Sequence, residues 1–190
     1  PGYVVARHED KLGHRTCDTC QIVLKDMFVP EQDLLGELGE GYKISLAYLM
    51  GGRIAVAAQA VGVAQAALNA AVEYAQARVT FGKRLVEHQA IAFKLADMAT
   101  QVESGRQMVM HATQMKAAEL PCLREASMAK LYTSEMAEKV CSEAIQIHGG
   151  YGYLSDFPVE KYYRDARVLQ IYEGSSEVQK MLISREFSKL

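Results

Sequence analysis

The sequence predicts a mainly α protein, an antiparallel bundle of long helices preceded by a short β segment. Residues 42–79 are rich in Ala, Leu, Val and Gln and contain no proline, which predicts a single long helix. A second helix over residues 86–120 is indicated by apolar residues at spacings of four, three and four: Ile91, Leu95, Met98 and Val102. Long helices with short joins favour an antiparallel bundle.

The first 35 residues differ from the rest of the chain. The runs "GYVVAR" and "CQIVLKDMFVP" are β-branched or alternating and are bounded by Gly, Asp and Pro, which predicts strands within residues 1–35. From "DLLGELGEG" onward the pattern is helical, so residues 36–190 are expected to form a separate helical domain.

The remaining helices have recognisable starts and ends. Pro121 interrupts the second helix, and a third is expected from there to His148, where Gly149 and Gly150 end it. A shorter helix follows Pro158. The last helix is expected to have Ser176 as its N-cap, because Gln179 stands three residues later as in a capping box.

Composition limits the classes of partner. The 190 residues are 49% hydrophobic and 23% charged, with a net charge of −2, which is typical of a globular domain with a core of its own. Charges of both signs are dispersed, so we expect no nucleic-acid partner, and the longest apolar runs fall short of the roughly 20 residues that predict a membrane span. The four cysteines fit a reducing compartment better than a disulfide framework.

No metal site is expected. None of the five histidines follows a Glu by three residues, so the Glu-x-x-His ligand pair of di-iron bundles is absent from the sequence. The string "HRTCDTC" contains His14, Cys17 and Cys20, but the two cysteines should point to opposite faces of a strand and no second pair completes a four-ligand site. We interpret these residues as structural.

Glycine-rich strings mark three further candidates. Gly51 and Gly52 lie within a predicted helix at a cost of roughly 1 kcal/mol each. Either another helix packs closely against them, or a ligand crosses the bare backbone while Arg53 holds an anionic or polar group. "ARVTFGKR" is an aromatic loop flanked by cations, and "QIHGGYGY" is a turn at a helix end that could be only a C-cap.

Four strings together resemble one family. "EDKLGHRTCDTCQIVLKDMFVP", "LMGGRIAVAAQAVGVAQ", "ARVTFGKRLVEHQA" and "AIQIHGGYGYLSDFPVEKYYRDARVLQIYEGSSEVQ" resemble the C-terminal half of an acyl-CoA dehydrogenase, in family order and spacing. The resemblance implies a C-terminal four-helix bundle domain in residues 36–190 and the last strands of a middle β-domain in residues 1–35. It also implies a homotetramer, a dimer of dimers, and a chain that lacks the N-terminal half of the protein.

The resemblance gives Glu173, in "IYEGSSEVQ", the role of the catalytic base. It would remove the α-proton of an acyl-CoA thioester while the β-hydride passes to FAD, which yields a trans-2-enoyl-CoA. Such a base works best when desolvated, so Tyr172 and Ile171 are expected to form an apolar wall and Gly174 to keep that wall thin beside the acyl chain. Some relatives carry the base just before Arg53, but this chain has Gly52 there.

The other roles also come from the resemblance. Arg53 is expected near the bound CoA substrate, although Met50 stands where relatives often have Asp. Tyr172 and Gly174 are the other expected substrate contacts. The expected FAD contacts, several of them to the FAD of a neighbouring subunit, are Arg78, Phe81, Gln89, Gln146, Gly149, Gly150, Ser175 and Glu177.

Two alternative functions remain at the level of the sequence: an acyl-CoA oxidase, and a non-catalytic helical interaction module. For the dehydrogenase, the resemblance implies fatty acid or branched-chain amino acid catabolism with an electron-transfer flavoprotein as electron acceptor. The location would be the cytoplasm in a bacterium and the mitochondrial matrix in a eukaryote. The 190 residues alone are expected to be colourless and inactive, because the family holds flavin largely through the middle domain.

Overall fold

The computed structural model describes residues 1–187 and contains a short β-hairpin followed by a helical bundle. Its strands are β1 (Tyr3–His8), β2 (Cys20–Leu24), β3 (Val79–Thr80) and β4 (Lys83–Arg84). Its α-helices are α1 (Gly41–Ala77), α2 (Gln89–Ala117), α3 (Leu123–His148), α4 (Val159–Ala166) and α5 (Ser176–Phe187). Short 3-10 helices cover Glu31–Asp33, Leu85–Glu87, Gly149–Tyr153 and Arg167–Gln170.

The core lies between α1, α2 and α3. Fully buried small residues of α1, among them Ala57, Ala60 and Ala64, let α3 approach closely along its length. α5 packs on α3 as the fourth helix, and α4 packs on both α3 and α1. The predicted mainly α, antiparallel four-helix bundle with a short β segment is confirmed.

Helix bounds follow the sequence pattern closely. The stripe predicted for the second helix is confirmed, since Leu95, Met98 and Val102 are buried and Ile91 packs against the core. The third helix ends at His148, where Gly149 takes a φ of +62° that favours glycine. The first helix ends two residues earlier than predicted, because Val79 belongs to the short hairpin that connects α1 to α2.

Helix α1 is long and apolar enough to cross a membrane by length and composition alone, with a mean hydropathy of 1.5 in its most apolar window. Half of that window is buried inside the bundle. A core helix passes the same test, so the feature is weak evidence for a span.

The N-terminal hairpin is joined to the bundle through its connecting loop. β1 and β2 pair antiparallel from Tyr3 with Leu24 to His8 with Cys20, and both faces of this two-stranded sheet are largely exposed. In the loop, the His14 backbone N–H donates to Asp165 Oδ1 at 2.6 Å, so the hairpin is attached to α4.

The "HRTCDTC" string is placed differently from the sequence-based expectation. Only Cys20 lies on a strand, where its Sγ is 3.2 Å from His8 Nδ1, while Cys17 is exposed in the preceding loop. The argument from opposite faces of a strand was therefore wrong. Within residues 1–187 there is no group of three or more His, Cys, Asp or Glu side chains that could hold a metal ion.

The predicted capping box is also wrong. Ser176 is the first residue of α5, and the Gln179 N–H donates to the Ser175 carbonyl, which makes Ser175 the residue before the first turn. The Ser176 Oγ is buried without a hydrogen-bond partner among the described residues. The Gln179 side chain instead donates to the carbonyls of Glu173 and Gly174.

Removing a core side chain should destabilise the bundle. Leu169 is fully buried, so Leu169→Ala should lower the free energy of unfolding by about 2–5 kcal/mol. Leu38 is 87% exposed, and Leu38→Ala should change it by less than about 0.5 kcal/mol. Urea unfolding followed by circular dichroism measures both, and similar losses for the two variants would contradict the described core.

Candidate active site

Glu173 lies in a tight turn between the 3-10 helix Arg167–Gln170 and α5. Its φ is +55° and that of Gly174 is +92°, so two consecutive residues adopt the left-handed region. Glycine tolerates this conformation, but a glutamate there carries strain that local contacts must offset. The turn therefore directs the Glu173 side chain at a conformational cost.

The Glu173 carboxylate packs against the bare backbone of α1. A Cβ placed on Gly52 would lie 2.4 Å from Glu173 Oε2 and 3.0 Å from its Cδ, so any larger residue would displace the carboxylate. A Cβ placed on the adjacent Gly51 would lie 2.4 Å from Lys116 Nζ. The two helix glycines thus accommodate side chains of this protein. Of the two alternatives that the sequence leaves open, close packing of another helix is not what lies nearest, since the closest described atoms from outside α1 at either position are side-chain atoms and not helix backbone.

Arg53 follows Gly52 on α1 and is only 8% exposed. Burial lowers the pKa of its guanidinium, and the nearby Glu173 carboxylate acts in the opposite direction. Arg53 Nε and Glu173 Oε2 are both buried, and neither has a hydrogen-bond partner in the described part of the chain. Buried polar atoms are rarely left unpaired, so these two single out this part of the bundle as a candidate functional site.

Two buried side chains, one from α3 and one from α5, donate hydrogen bonds to the backbone of the Glu173 turn. Lys130 Nζ on α3 donates to the Gly174 carbonyl at 2.7 Å, and Gln179 Nε2 on α5 donates to the same carbonyl at 2.9 Å. Gln179 also donates to the Glu173 carbonyl at 3.2 Å. Burial lowers the pKa of Lys130 from 10.5 to about 8, while the Glu173 carboxylate opposes that shift.

The neighbours of Glu173 in sequence differ from the expected apolar wall. The Tyr172 hydroxyl donates to Gln59 Oε1 on α1 at 2.5 Å, and burial raises the pKa of that hydroxyl. Ile171 is 56% exposed and lines a separate cavity of about 360 Å³ with Tyr172 and the loop of the N-terminal hairpin. A Cβ on Gly174 would meet Gln179 Nε2 at 2.6 Å, so this glycine makes room for an amide of the protein.

A second cluster forms at the opposite end of α3. Arg78, Gly149 and Gly150 line one cavity of about 440 Å³, and the Arg78 guanidinium lies 5.9 Å from the centre of the Tyr151 ring. A Cβ on either glycine would meet no described atom within 4 Å, so the turn presents open backbone beside a cation. Cations and bare amides are the groups that bind phosphates.

The other predicted cofactor residues are dispersed over the surface. Phe81 is 98% exposed at the tip of the β3–β4 hairpin, with φ values of +50° for itself and +79° for Gly82. Gln89 is exposed at the first residue of α2, and Gln146 is exposed in the last turn of α3. At the start of α5, a hydrogen bond from the Ser175 side chain lowers the pKa of Glu177.

Sequence reasoning missed Lys130 and Gln179. A signal for Lys130 was present, since it occupies a core position of α3 between Ala126, Thr133 and Ala137, where a charged residue needs a partner. Gln179 gave no such signal, because the capping box offered its amide a plausible local role.

The molecule is a helical bundle in which the Glu173 carboxylate packs on the bare backbone of α1, beside the buried Arg53 of the same helix. The model of the acyl-CoA dehydrogenase C-terminal domain family matches residues 39–187, and the chain belongs to that family.

Particular relatives support the assignment. The chain is 49% identical to an acyl-CoA dehydrogenase of Bacillus subtilis over 97% of this chain and 49% of the relative. It is 45% identical to the caffeyl-CoA reductase-Etf complex subunit CarC of Acetobacterium woodii, over 96% of this chain and 48% of that protein. The structure of butyryl-CoA dehydrogenase from Megasphaera elsdenii superposes with a TM-score of 0.96 at 47% identity, covering 99% and 49% of the two chains. The chain thus spans about half the length of these relatives.

Replacement of Gly52 and of Gly62, both on α1, by alanine should have different effects on the free energy of unfolding. A Cβ on Gly62 meets no described atom within 4 Å, so Gly62→Ala should raise the free energy of unfolding by about 0.5–1 kcal/mol through helix propensity. Gly52→Ala should lose that gain, because the Glu173 carboxylate must move. Equal stabilisation of both variants in urea titrations would contradict the contact between Gly52 and Glu173.

Lys130 should make the free energy of unfolding depend on pH in the alkaline range. Its pKa is about 8 in the folded state and near 10.5 when exposed, so protonation favours the unfolded chain and the penalty is complete below pH 8. As pH rises from 8 to 10.5, the parent should gain up to about 3 kcal/mol relative to Lys130→Met. The unfolding free energies of both proteins across this range measure the gain, and a constant difference would exclude the shifted lysine.

Proposed function

We propose that this chain is the C-terminal half of an FAD-dependent enzyme that converts an acyl-CoA thioester to a trans-2-enoyl-CoA. Glu173 is the base that takes the α-proton. The observation that supports this most is the buried Glu173 Oε2, which lies against Gly52 without a hydrogen-bond partner in residues 1–187.

The residues around Glu173 suit proton removal from carbon. Such a proton is weakly acidic, so the base must be held close to it and shielded from water. The strained turn fixes the base, and Gly52 leaves room for it. Arg53 and Lys130 place positive charge beside it, which favours the negative charge that appears on the thioester as Glu173 becomes neutral. We also assign Arg53 to the polar part of the substrate, as the family resemblance implies.

When FAD is bound, its flavin supplies the acceptor for the hydride that leaves the β-carbon of the substrate. The cavity of Arg78, Gly149 and Gly150 fits a phosphate-bearing part of such a cofactor, because a cation lies beside open backbone. The exposed aromatic ring of Phe81 lies close by in sequence, on the hairpin that follows Arg78. We assign the remaining FAD contacts, as the family resemblance implies, to Gln89, Gln146, Ser175 and Glu177.

The Glu173 cluster and the Arg78 cluster lie at opposite ends of α3, which supports a shared cofactor arrangement. Glu173 and Arg53 serve the site of their own subunit, while Arg78 and Phe81 reach the FAD of a neighbouring subunit in a homotetramer. The exposed faces of β1 and β2 support the same picture, since a two-stranded sheet with apolar residues on both faces is marginal alone. We therefore assign residues 1–35 to a β-domain completed by the N-terminal half of the protein.

An electron-transfer flavoprotein is the proposed electron acceptor. The relative CarC, which is 45% identical to this chain, is named as a subunit of a caffeyl-CoA reductase-Etf complex. The named relatives differ in their acyl group, which is caffeyl for CarC and butyryl for the Megasphaera elsdenii enzyme.

Replacement of the base should abolish turnover while leaving binding intact. In the full-length enzyme, Glu173→Gln keeps the size of the side chain but cannot accept the proton, so flavin reduction by acyl-CoA should slow by about 10²–10⁴-fold. Glu73 is exposed on α1, and Glu73→Gln is the matched control with an unchanged rate. A Glu173→Gln enzyme that reduced flavin at the parent rate in a single turnover would refute the assignment.

A further inference from the structure

Lys130 is a charged side chain in the core of the bundle. It is fully buried on α3, at a position of the helix face that packs inward. Burying an ammonium costs several kcal/mol unless it is paired, and a residue such as Met would fill the same space without that cost. The position of Lys130 therefore calls for an explanation beyond packing.

The ammonium is directed at the turn that carries Glu173. It donates a hydrogen bond of 2.7 Å to the Gly174 carbonyl, which links α3 to that turn. The same carbonyl accepts the Gln179 amide, so it is held from two helices at once. Two left-handed residues in sequence would relax toward commoner backbone angles if this carbonyl were free to rotate.

The charge of Lys130 acts on the same turn. The titratable groups that face it are Glu173, Arg53 and Glu177, of which the two acids attract it and Arg53 repels it. Arg53 lies on α1 and Lys130 on α3, so the Glu173 turn sits within the field of cations from two helices. A neutral residue at position 130 would remove one of these two cations as well as the hydrogen bond.

We propose that Lys130 is a positioning residue for Glu173: through the Gly174 carbonyl it holds the left-handed turn that keeps the carboxylate over Gly52. This inference rests on the proposed function, because positioning has meaning only if Glu173 is the base. Lys130 itself does not touch the reacting atoms. Its effect is on the rate of proton removal and not on the affinity for acyl-CoA.

The test compares Lys130→Met with a buried neighbour in the full-length enzyme. Met keeps the length and apolar stem of lysine but neither donates nor carries charge. Thr133→Val, one turn further along α3, removes a buried hydroxyl that bonds only within its own helix among the described contacts. Single-turnover flavin reduction by butyryl-CoA and the dissociation constant of crotonyl-CoA are measured for both, together with amide hydrogen exchange of residues 172–176.

Lys130→Met should slow flavin reduction by about 10–100-fold, because a displacement of about 1 Å at a reacting group costs this much. Crotonyl-CoA affinity should change by less than about threefold, and amide exchange in residues 172–176 should accelerate. Thr133→Val should leave the rate and the exchange unchanged. Loss of affinity and rate in equal measure would overturn the inference, since that pattern indicates a general structural defect.

A double-mutant cycle separates positioning from stability. If Lys130 acts through Glu173, adding Lys130→Met to Glu173→Gln should slow the residual rate by less than about twofold. Additive losses would overturn the inference. Should Lys130→Met not fold, the shorter Lys130→Gln is judged by the same criteria.

The two proposals fail differently. An unchanged rate in Lys130→Met alongside an impaired Glu173→Gln would overturn the role of Lys130 and leave the base in place. An unimpaired Glu173→Gln would overturn both.

Discussion

The contact between the Glu173 carboxylate and the bare backbone of Gly52 is the constraint on which the rest of the site depends. It requires glycine in the interior of a 37-residue helix, where glycine is otherwise costly. It also depends on the left-handed turn at Glu173 and Gly174, which directs the acid back at α1. The bundle supports this turn with buried donors from α3 and α5.

The site holds more positive than negative charge in a poorly solvated place. Arg53 and Lys130 are both buried near the Glu173 carboxylate, whereas the second acid that faces Lys130, Glu177, is exposed. Burial lowers the pKa of both cations. Such an arrangement does not maximise stability, because paired or apolar residues would cost less. In the proposed reaction the excess is useful, since negative charge passes from Glu173 to the thioester while the cations remain in place. Local conflict with the rules of folding is expected at functional sites.

Much of the fold could be predicted from the sequence because helix periodicity and helix ends are local signals. The stripe from Ile91 to Val102 and the glycine after His148 are examples, and both are confirmed. The last helix opens at Ser176 as expected, but its N-cap was misassigned by one residue, because the spacing to Gln179 favoured Ser176 over the adjacent Ser175. The chain itself does not say which of them forms the first hydrogen bond.

The site was predicted less completely, because its contacts join distant segments. The family resemblance singled out Glu173 and Arg53, and the structure brings these two together. It could not reveal that Gly52 accommodates the carboxylate, or that Lys130 and Gln179 bind the Gly174 carbonyl, since each contact pairs residues from different elements. Ile171 was expected to shield Glu173 because it is adjacent in sequence, yet it lines another cavity.

A crystal structure of the full-length protein with FAD and a bound acyl-CoA analogue tests the central claim most directly. The account predicts that a Glu173 carboxylate oxygen lies over Gly52 and within about 3.5 Å of the α-carbon of the acyl group, as a reacting pair must. A Glu173 side chain turned away from the thioester, or a different acid beside the α-carbon, would contradict it.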